Sequence, residues 1–499
     1  MTTAAPIARL ERVIADARQI YAGHRELVER LDACAVRLEQ PLRIAVAGAI
    51  KAGKSTLLNA LVGEDIAPTD ATECTRVVTW FRHGAKPAVT ATDGRGHATD
   101  IPVRRRGGGL TFDLGQLTAR DVDRIDVEWP TARLVQTTLI DTPGTTSLST
   151  EVSARTLDLL IPDEGNSAAD AVIYLFRSLD ESDLDFLRQI SGNVAGGAGP
   201  LGVIGVVSRA DELGVGRVDA MHSARQIAKQ FTRELELTGL CQTAVPVAGL
   251  VAFTAKTLRQ HEYNDLRELS AVAPDQLELA LLSADRFVRT ETLPTDCEAR
   301  AQLIRRLGPF GIRIALTCLR AGAPDCQTLV DDLLYRSGVT ELEHVIDVHF
   351  GQRADDLKAH NAARTLKDMF AAHPATAAAP LVKAVDELVA NVHGFQELRL
   401  LAKLRSTPTT LRDVELTDIR RILGSYGTEP AQRLDIDAFA VTGVGMDHAL
   451  GEVNRWRAKA RHPMTDQFTA GACMVAARSA EHVLARLRDS AAVGRASGM

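Results

Sequence analysis

Nine residues constrain this chain more than any others: Gly48-Ala-Ile-Lys-Ala-Gly-Lys-Ser-Thr56 follows the apolar run RIAVA and precedes LLNALVG. This is G-x-x-x-x-G-K-[ST] in the strand–loop–helix setting the pattern requires. Its glycines let the backbone curl until its N–H groups face phosphate oxygens at a helix start. Gly48, Ala49, Ile50, Lys51, Ala52, Gly53, Lys54, Ser55 and Thr56 are therefore the candidate phosphate-loop contacts. Lys54 is expected to reach the β- and γ-phosphates, and Ser55 to ligate Mg²⁺.

Two further motifs fall where such a loop needs them. Asp141-Thr-Pro-Gly144 ends the apolar strand TTLID. Asp141 is placed there to hold Mg²⁺ through water, and the Gly144 N–H to bond the γ-phosphate. Ser208-Arg-Ala-Asp211 follows the apolar strand GVIGVVS, in the slot of the guanine-reading [NT]KxD sequence. A carboxylate at Asp211 accepts hydrogens from guanine N1 and N2, which adenine does not offer, so GTP is the expected substrate. Arg209 stands where a Lys stem usually covers the base, a task its own stem can perform; Ser208 replaces Asn or Thr. Between the loop and DTPG, PTDATECTR (68–76) offers Thr69, Thr72 and Thr75 as the switch threonine that closes on Mg²⁺ and γ-phosphate.

Around these motifs the texture changes twice. From Pro41 to about residue 260, β-rich runs such as RIAVAG, AVIYLF and AVPVAG alternate with helical segments. That is the pattern of a mostly parallel α/β sheet covered by helices. VVTWF and IDVEW are expected as an antiparallel edge pair. Residues 7–39 keep an apolar stripe from Leu10 to Leu38, which predicts one long helix with His24 packed on its bundle face. Such a helix needs partners, and the helical half is where they are expected. Beyond about 260 the strands stop. A helix is predicted from Thr340, opened by a capping box with Glu343 and broken by HPATAAAP (373–380). Others follow at about 381–405, 412–424, 443–461 and 465–489, the last capped by Thr465 or Asp466. The predicted fold class is an α/β P-loop GTPase head with a mostly parallel sheet, plus an extended α-helical bundle.

Composition removes several other classes. A net charge of -6 over 499 residues is not that of a nucleic-acid polycation. Seven scattered cysteines without CxxC read as reduced thiols, not a disulfide frame or zinc site. The N-terminus has no apolar h-region, so no signal peptide is expected, and no run of 18 apolar residues suggests a membrane span. Gly197–Gly202 formally matches GxGxxG but precedes a strand and contains Pro200, so no dinucleotide site is expected. Arg104-Arg-Arg106-Gly-Gly-Gly109 reads as a solvated hairpin tip, and the spacing of His344 and His349 predicts no transition metal. LGPFG (307–311, with Phe310), LGSYG (423–427, with Tyr426) and HPATAAAP are candidate membrane tips, though each reads first as a buried turn.

Lys54 and Asp141 lie 87 positions apart, more than a minimal Ras-like domain allows. With that length, the KAGKST loop, the NALVG helix, the passage from Pro68 to Thr75-Arg76 and the helical half, the chain resembles the dynamin-like GTPases. It is most similar to the bacterial branch, in particular the shorter type of the isoniazid-inducible proteins of mycobacteria. PLRIAVAG, GEDIAPTDATE and RLGPFGIR extend that likeness along almost the whole chain. The resemblance implies an N-terminal neck helix (1–40), a GTPase head (41–260), a helical connector (261–330) and a helical neck and trunk bundle (331–499). It implies heads that self-associate around bound nucleotide and a trunk tip that remodels an anionic phospholipid membrane. The place implied is cytoplasmic and peripheral, at the inner face of the plasma membrane, with a paralogous dynamin-like protein as a compatible partner and no nucleic acid.

The same resemblance assigns Thr75 as switch threonine and Mg²⁺ ligand beside Ser55 and Asp141, and Thr146 as the threonine two after DxPG. It also exposes departures. Dynamins carry Gln-Ser in the phosphate loop where this chain has Ile50 and Lys51, and Thr145 follows DTPG, so the Ras-type glutamine is missing too. Water positioning then falls to backbone groups, the Thr75 carbonyl and the Gly144 amide. Lys51 either brings a positive charge to the β–γ bridge in place of a potassium ion or points to solvent. The catalytic candidates are thus Lys54, Ser55, Thr75, Gly144 and Lys51, and slow basal turnover is expected. Two alternatives remain open: a slow GTP-gated switch on a docking scaffold, and a ribosome-associated GTPase of the Era kind. Net charge and the lack of a KH-like GxxG module in the helical half disfavour the latter.

Overall fold

The computed structural model describes residues 6–68, 77–106, 109–112, 118, 121–145, 150–161, 167–191, 202–213, 219–238, 240–437 and 441–497. Its strands are β1 (Leu42–Gly48), β2 (Val78–His83), β3 (Ala88–Asp93), β4 (Ala98–Asp100), β5 (Val103–Arg106), β6 (Gly109–Phe112), β7 (Val122–Trp129), β8 (Thr137–Asp141), β9 (Ala171–Phe176), β10 (Val203–Ser208) and β11 (Ala244–Val247). Nine of them form one sheet in the order β11-β10-β9-β1-β8-β2-β7-β3-β4, while β5 and β6 make a separate antiparallel hairpin. From β11 to β8 every pairing is parallel. β9 and β10 are buried at every position, as strands covered on both faces must be, which is why they read as unbroken apolar runs.

The other half of the sheet departs from expectation. β2 is antiparallel to β8, yet parallel to β7, and both lie inside the sheet with β3 and β4 beyond them. VVTWF and IDVEW are thus neither antiparallel nor an edge pair. Alternation reveals a half-covered face but not strand direction. The stretch between these strands, which holds β3 to β6, is long enough for the crossover that parallel pairing needs.

The N-terminal segment is two helices, Pro6–Ile20 and Arg25–Glu39, not the single long helix its stripe predicts. The chain turns at Tyr21–Gly23, and His24, expected in the bundle face, is an exposed, extended residue at the start of the second helix. Apolar spacing resumes after the turn because both helices serve one core. That core is shared with Ala354–Ala372 and Ala379–Asn391, through Leu10, Leu31, Leu366, Phe370 and Leu388 among others. Asp170, ahead of β9, accepts from the Arg37 guanidinium, from the Arg43 N–H at 2.9 Å and from Asn361 Nδ2 at 3.3 Å. One buried carboxylate so joins an N-terminal helix, β1 and the helical body.

Beyond β11 the described residues hold only helices and turns. The helix expected from Thr340 is Val339–His349, entered through Gly338 at φ 80° without a side-chain cap. Glu343 does not close a capping box; its Oε1 lies 2.5 Å from Lys256 Nζ. The chain passes through a 3₁₀ turn at Gly351–Arg353 before Ala354–Ala372. The 381–405 prediction is likewise split, into Ala379–Asn391 and His393–Ser406. Asp413–Ile422, Val441–Ala460 and Gln467–Ser497 follow close to their expected places. Asp466 rather than Thr465 caps the last, accepting from the Thr469 N–H at 2.9 Å. Phe310, a candidate membrane tip, is 1% exposed beside the kink at Gly308, whereas Tyr426 is half exposed.

Candidate active site

β1 ends at Gly48 with φ 142°, where a Cβ would lie 2.2 Å from the Leu175 carbonyl oxygen on β9. Only glycine lets the chain leave the sheet there. Gly53, at φ 94°, then opens the helix Lys54–Val62. Between them Lys51 holds φ 62°, a left-handed conformation that costs a non-glycine residue about 1 kcal/mol and turns it outward, exposed. Lys54 Nζ donates to the Gly48 and Ala49 carbonyls at 3.0 and 3.1 Å, so its ammonium lies across the mouth of the curl. Burial lowers its pKa, and the Asp141 carboxylate opposes that shift.

Asp141 closes the far wall. Ser55 Oγ donates to Asp141 Oδ2 at 2.7 Å, while Asp141 Oδ1 is buried without a partner among the described residues. Burial pushes this carboxyl up, against the pull of Lys54 and the Ser55 hydroxyl. An orphaned carboxylate oxygen beside a serine hydroxyl is a hard-oxygen donor set that fits a small divalent cation. Gly144 packs directly on the loop: a Cβ there would sit 2.3 Å from Ile50 Cγ1 and 3.0 Å from the Ile50 nitrogen. The Thr145 N–H donates to the Gly48 carbonyl at 3.1 Å and the Thr142 hydroxyl to Val46 at 2.9 Å, pinning DTPG to β1.

At the other end of the loop lies a pocket of about 160 Å³. Ala52, Gly53, Thr56 and Leu57 form one wall, Ser208, Arg209, Asp211 and Glu212 a second, and Val247, Gly249 and Leu250 a third. Asp211 is the half-buried acid of this pocket, its pKa raised by desolvation. Arg209, at φ 50°, lines the wall and turns its guanidinium to Glu212 at 2.6 Å, leaving the stem to face the pocket's occupant. Ser208, in the pocket wall, donates its Oγ hydrogen to the Phe176 carbonyl at 3.2 Å and so ties β10 to β9.

The structure therefore brings together the whole loop from Gly48 to Thr56, with Asp141, Gly144, Ser208, Arg209 and Asp211. Thr69, Thr72, Thr75, Arg76 and Thr146 lie outside the described residues, as does all of Gly197–Gly202 except its last residue. Arg104–Arg106 fall on β5 of the small hairpin. The third wall escaped the sequence reading, which took AVPVAG only as a strand. A glycine at a strand end that starts the helix Gly249–Lys256 was the available signal. Among the described residues no three His, Cys, Asp or Glu side chains gather as a metal cluster, and no helix is long and apolar enough to cross a membrane.

Comparisons with known proteins agree with this geometry. Residues 44–191 match the model of the dynamin family. The chain is 50% identical over 466 residues to the isoniazid-induced protein IniC of Mycobacterium tuberculosis, covering 93% of this chain and 94% of that protein. It is 28% identical over 296 residues to the isoniazid-induced protein IniA of the same organism, covering 57% of this chain and 42% of IniA. A solved structure of an oligomerised bacterial dynamin pair overlays with a TM-score of 0.31 at 14% identity, covering 98% of this chain and 76% of that one, too low a score to relate their helical bodies. A phosphate-loop sequence, the DTPG strand end and a pocket beside them on one sheet, in a chain alike to IniC over nearly its whole length, place this protein in the dynamin family of GTPases, with the bacterial dynamin-like proteins of the IniC type.

Proposed function

We propose that this GTPase couples its hydrolytic cycle to peripheral binding and remodelling of an anionic phospholipid membrane, at the inner face of the plasma membrane. The observation that carries the reading is the convergence of Lys54, Ser55, Asp141 and Gly144 on the phosphate side, and Asp211 on the base side, of one loop in a dynamin-family chain. Its functional units are the N-terminal helices (1–40), the head (41–260), the connector (261–330) and the helical bundle (331–499).

Hydrolysis is phosphoryl transfer to water, a reaction catalysed by positioning and charge more than by covalent steps. The loop amides from Ile50 to Ser55 face the phosphates, and the Lys54 ammonium, already held across the curl, meets the β- and γ-oxygens. Ser55 directly, Asp141 through water and Thr75 from the switch would hold Mg²⁺, which when bound neutralises charge on those oxygens. The Gly144 N–H senses the γ-phosphate, and Asp211 accepts from the guanine edge. Lys51, turned outward and exposed by its left-handed backbone, would have to swing in over bound nucleotide to bring its charge to the β–γ bridge, and turnover without potassium is the test of that move. With no glutamine in the loop or after DTPG, single heads turn over slowly and head-to-head association accelerates them.

The test is phosphate release from GTP, with ATP as control, with and without anionic liposomes. Turnover of GTP alone that rises with liposomes is the expected result. GTP turnover indifferent to lipid would replace this reading with that of a GTP-gated docking scaffold.

A further inference from the structure

On β2, two strands across the sheet from β1 and level with Ala45, an indole lies among arginines. Trp80 on β2 is 4% exposed, and the guanidinium carbons of Arg43, Arg82 and Arg124 lie 4.8, 4.8 and 5.4 Å from its ring centre. The three cations come from β1, β2 and β7, so the sheet register itself sets their spacing, and any two lie within about 10 Å of each other. Arg37, from the helix Arg25–Glu39, adds a fourth guanidinium that repels Arg43 and Arg82.

Carboxylates do not balance this group. Asp126 serves both Arg124, at 2.7 Å, and Arg82, at 3.3 Å. Asp170 is fully buried and already shared between Arg37, the Arg43 backbone and Asn361. Glu128, a further acid that acts on Arg82, is exposed. Burial first, and then neighbouring arginines, push Arg37 down to about 9 and Arg43 to about 10. The Trp80 ring N–H, moreover, has no acceptor among the described residues.

The cluster is open to solvent where it matters, since the Arg82 and Arg124 side chains are 36% and 38% exposed. Planar guanidiniums bind phosphate oxygens two at a time, and several converging within 10 Å match more than one phosphate group. A nucleotide on the phosphate loop is not that ligand: Arg43 precedes Gly48 by five residues, about 17 Å along an extended strand, and Arg124 lies on β7, three strands across the sheet from β1.

We infer that the face formed by Arg82 and Arg124 over Trp80, backed by the charge of Arg43 whose own fork is held by Gln40 and the Ala168 carbonyl, is a second anion site, built for an oligophosphate or a multiply phosphorylated headgroup at the seam between head and N-terminal helices. An occupant would neutralise the head arginines and Arg37 together, and so tighten that seam. The inference does not depend on GTP hydrolysis.

The test uses the full chain saturated with GDP, so that the phosphate loop is already filled. Inorganic tripolyphosphate is titrated in by calorimetry, and flotation is run with phosphatidylcholine vesicles with and without cardiolipin. The expected result is one saturable site beyond GDP, weakened at least tenfold in Arg82→Gln/Arg124→Gln with GDP affinity unchanged. Asp126→Asn, which releases both arginines from their acid, should tighten it severalfold. Tripolyphosphate binding alone identifies a soluble ligand; cardiolipin flotation that falls in the double variant identifies a headgroup. Absence of both, binding equal in the double variant, or no tightening in Asp126→Asn would overturn the inference.

Discussion

The two halves of the nucleotide site are built in opposite ways. The phosphate half is nearly continuous: nine consecutive residues make the curl, and only DTPG comes from elsewhere. The base half has no continuous stretch at all, since its walls arrive from residues 52–57, 208–212 and 247–250 by way of three different strands. One half is therefore a property of local chain conformation, and the other of sheet topology. Substitutions in the first should act on chemistry, and substitutions in the second on discrimination.

That contrast breaks most sharply at Lys54. Lys54→Ala removes the ammonium held across the curl and should cost about 100- to 1,000-fold in GTP turnover, read by phosphate release, with the fold intact by melting temperature. Asp211→Asn, in the other half, should weaken GTP about 10- to 100-fold while leaving ATP unchanged, read by competition binding. A loss equal for both nucleotides would mean that Asp211 supports the pocket without reading the base. Lys51→Ala should lower potassium-free turnover about tenfold, and added potassium should restore part of it. Gly144→Ala should lower turnover severalfold by pressing on Ile50, and Ile50→Ala in the same chain should relieve it. The smallest effect belongs to Ser208→Ala, which removes a strut to Phe176 and should cost about 1 kcal/mol of stability without altering base preference.

What could be read from residues follows the same division. The loop, DTPG and the position of Asp211 were legible because each is a short motif whose backbone requirement is local. The helical body was legible in outline, since apolar spacing survives a turn. Its breaks were not: the turn at Tyr21–Gly23 and the interruptions at Phe350 and Val392 leave the stripe in phase, so periodicity alone joins what the chain divides. Strand direction between β2 and β7 was equally hidden, because parallel and antiparallel pairs bury the same alternate residues. Ser208 illustrates the limit of a motif slot. Its place in the pocket wall was legible, but the bond its hydroxyl gives to the Phe176 carbonyl was not.

β1 has one more property. Two residues, Gln40 and Pro41, separate it from the helix Arg25–Glu39, and its other end is Gly48 itself. Asp170 grips its start from one side while the Thr142 and Thr145 amides and the Thr142 hydroxyl grip its end from the other. This seven-residue strand of about 23 Å is clamped at both ends and flanked by parallel neighbours. The second N-terminal helix is thus joined to the phosphate loop by a two-residue link and one strand held at both ends.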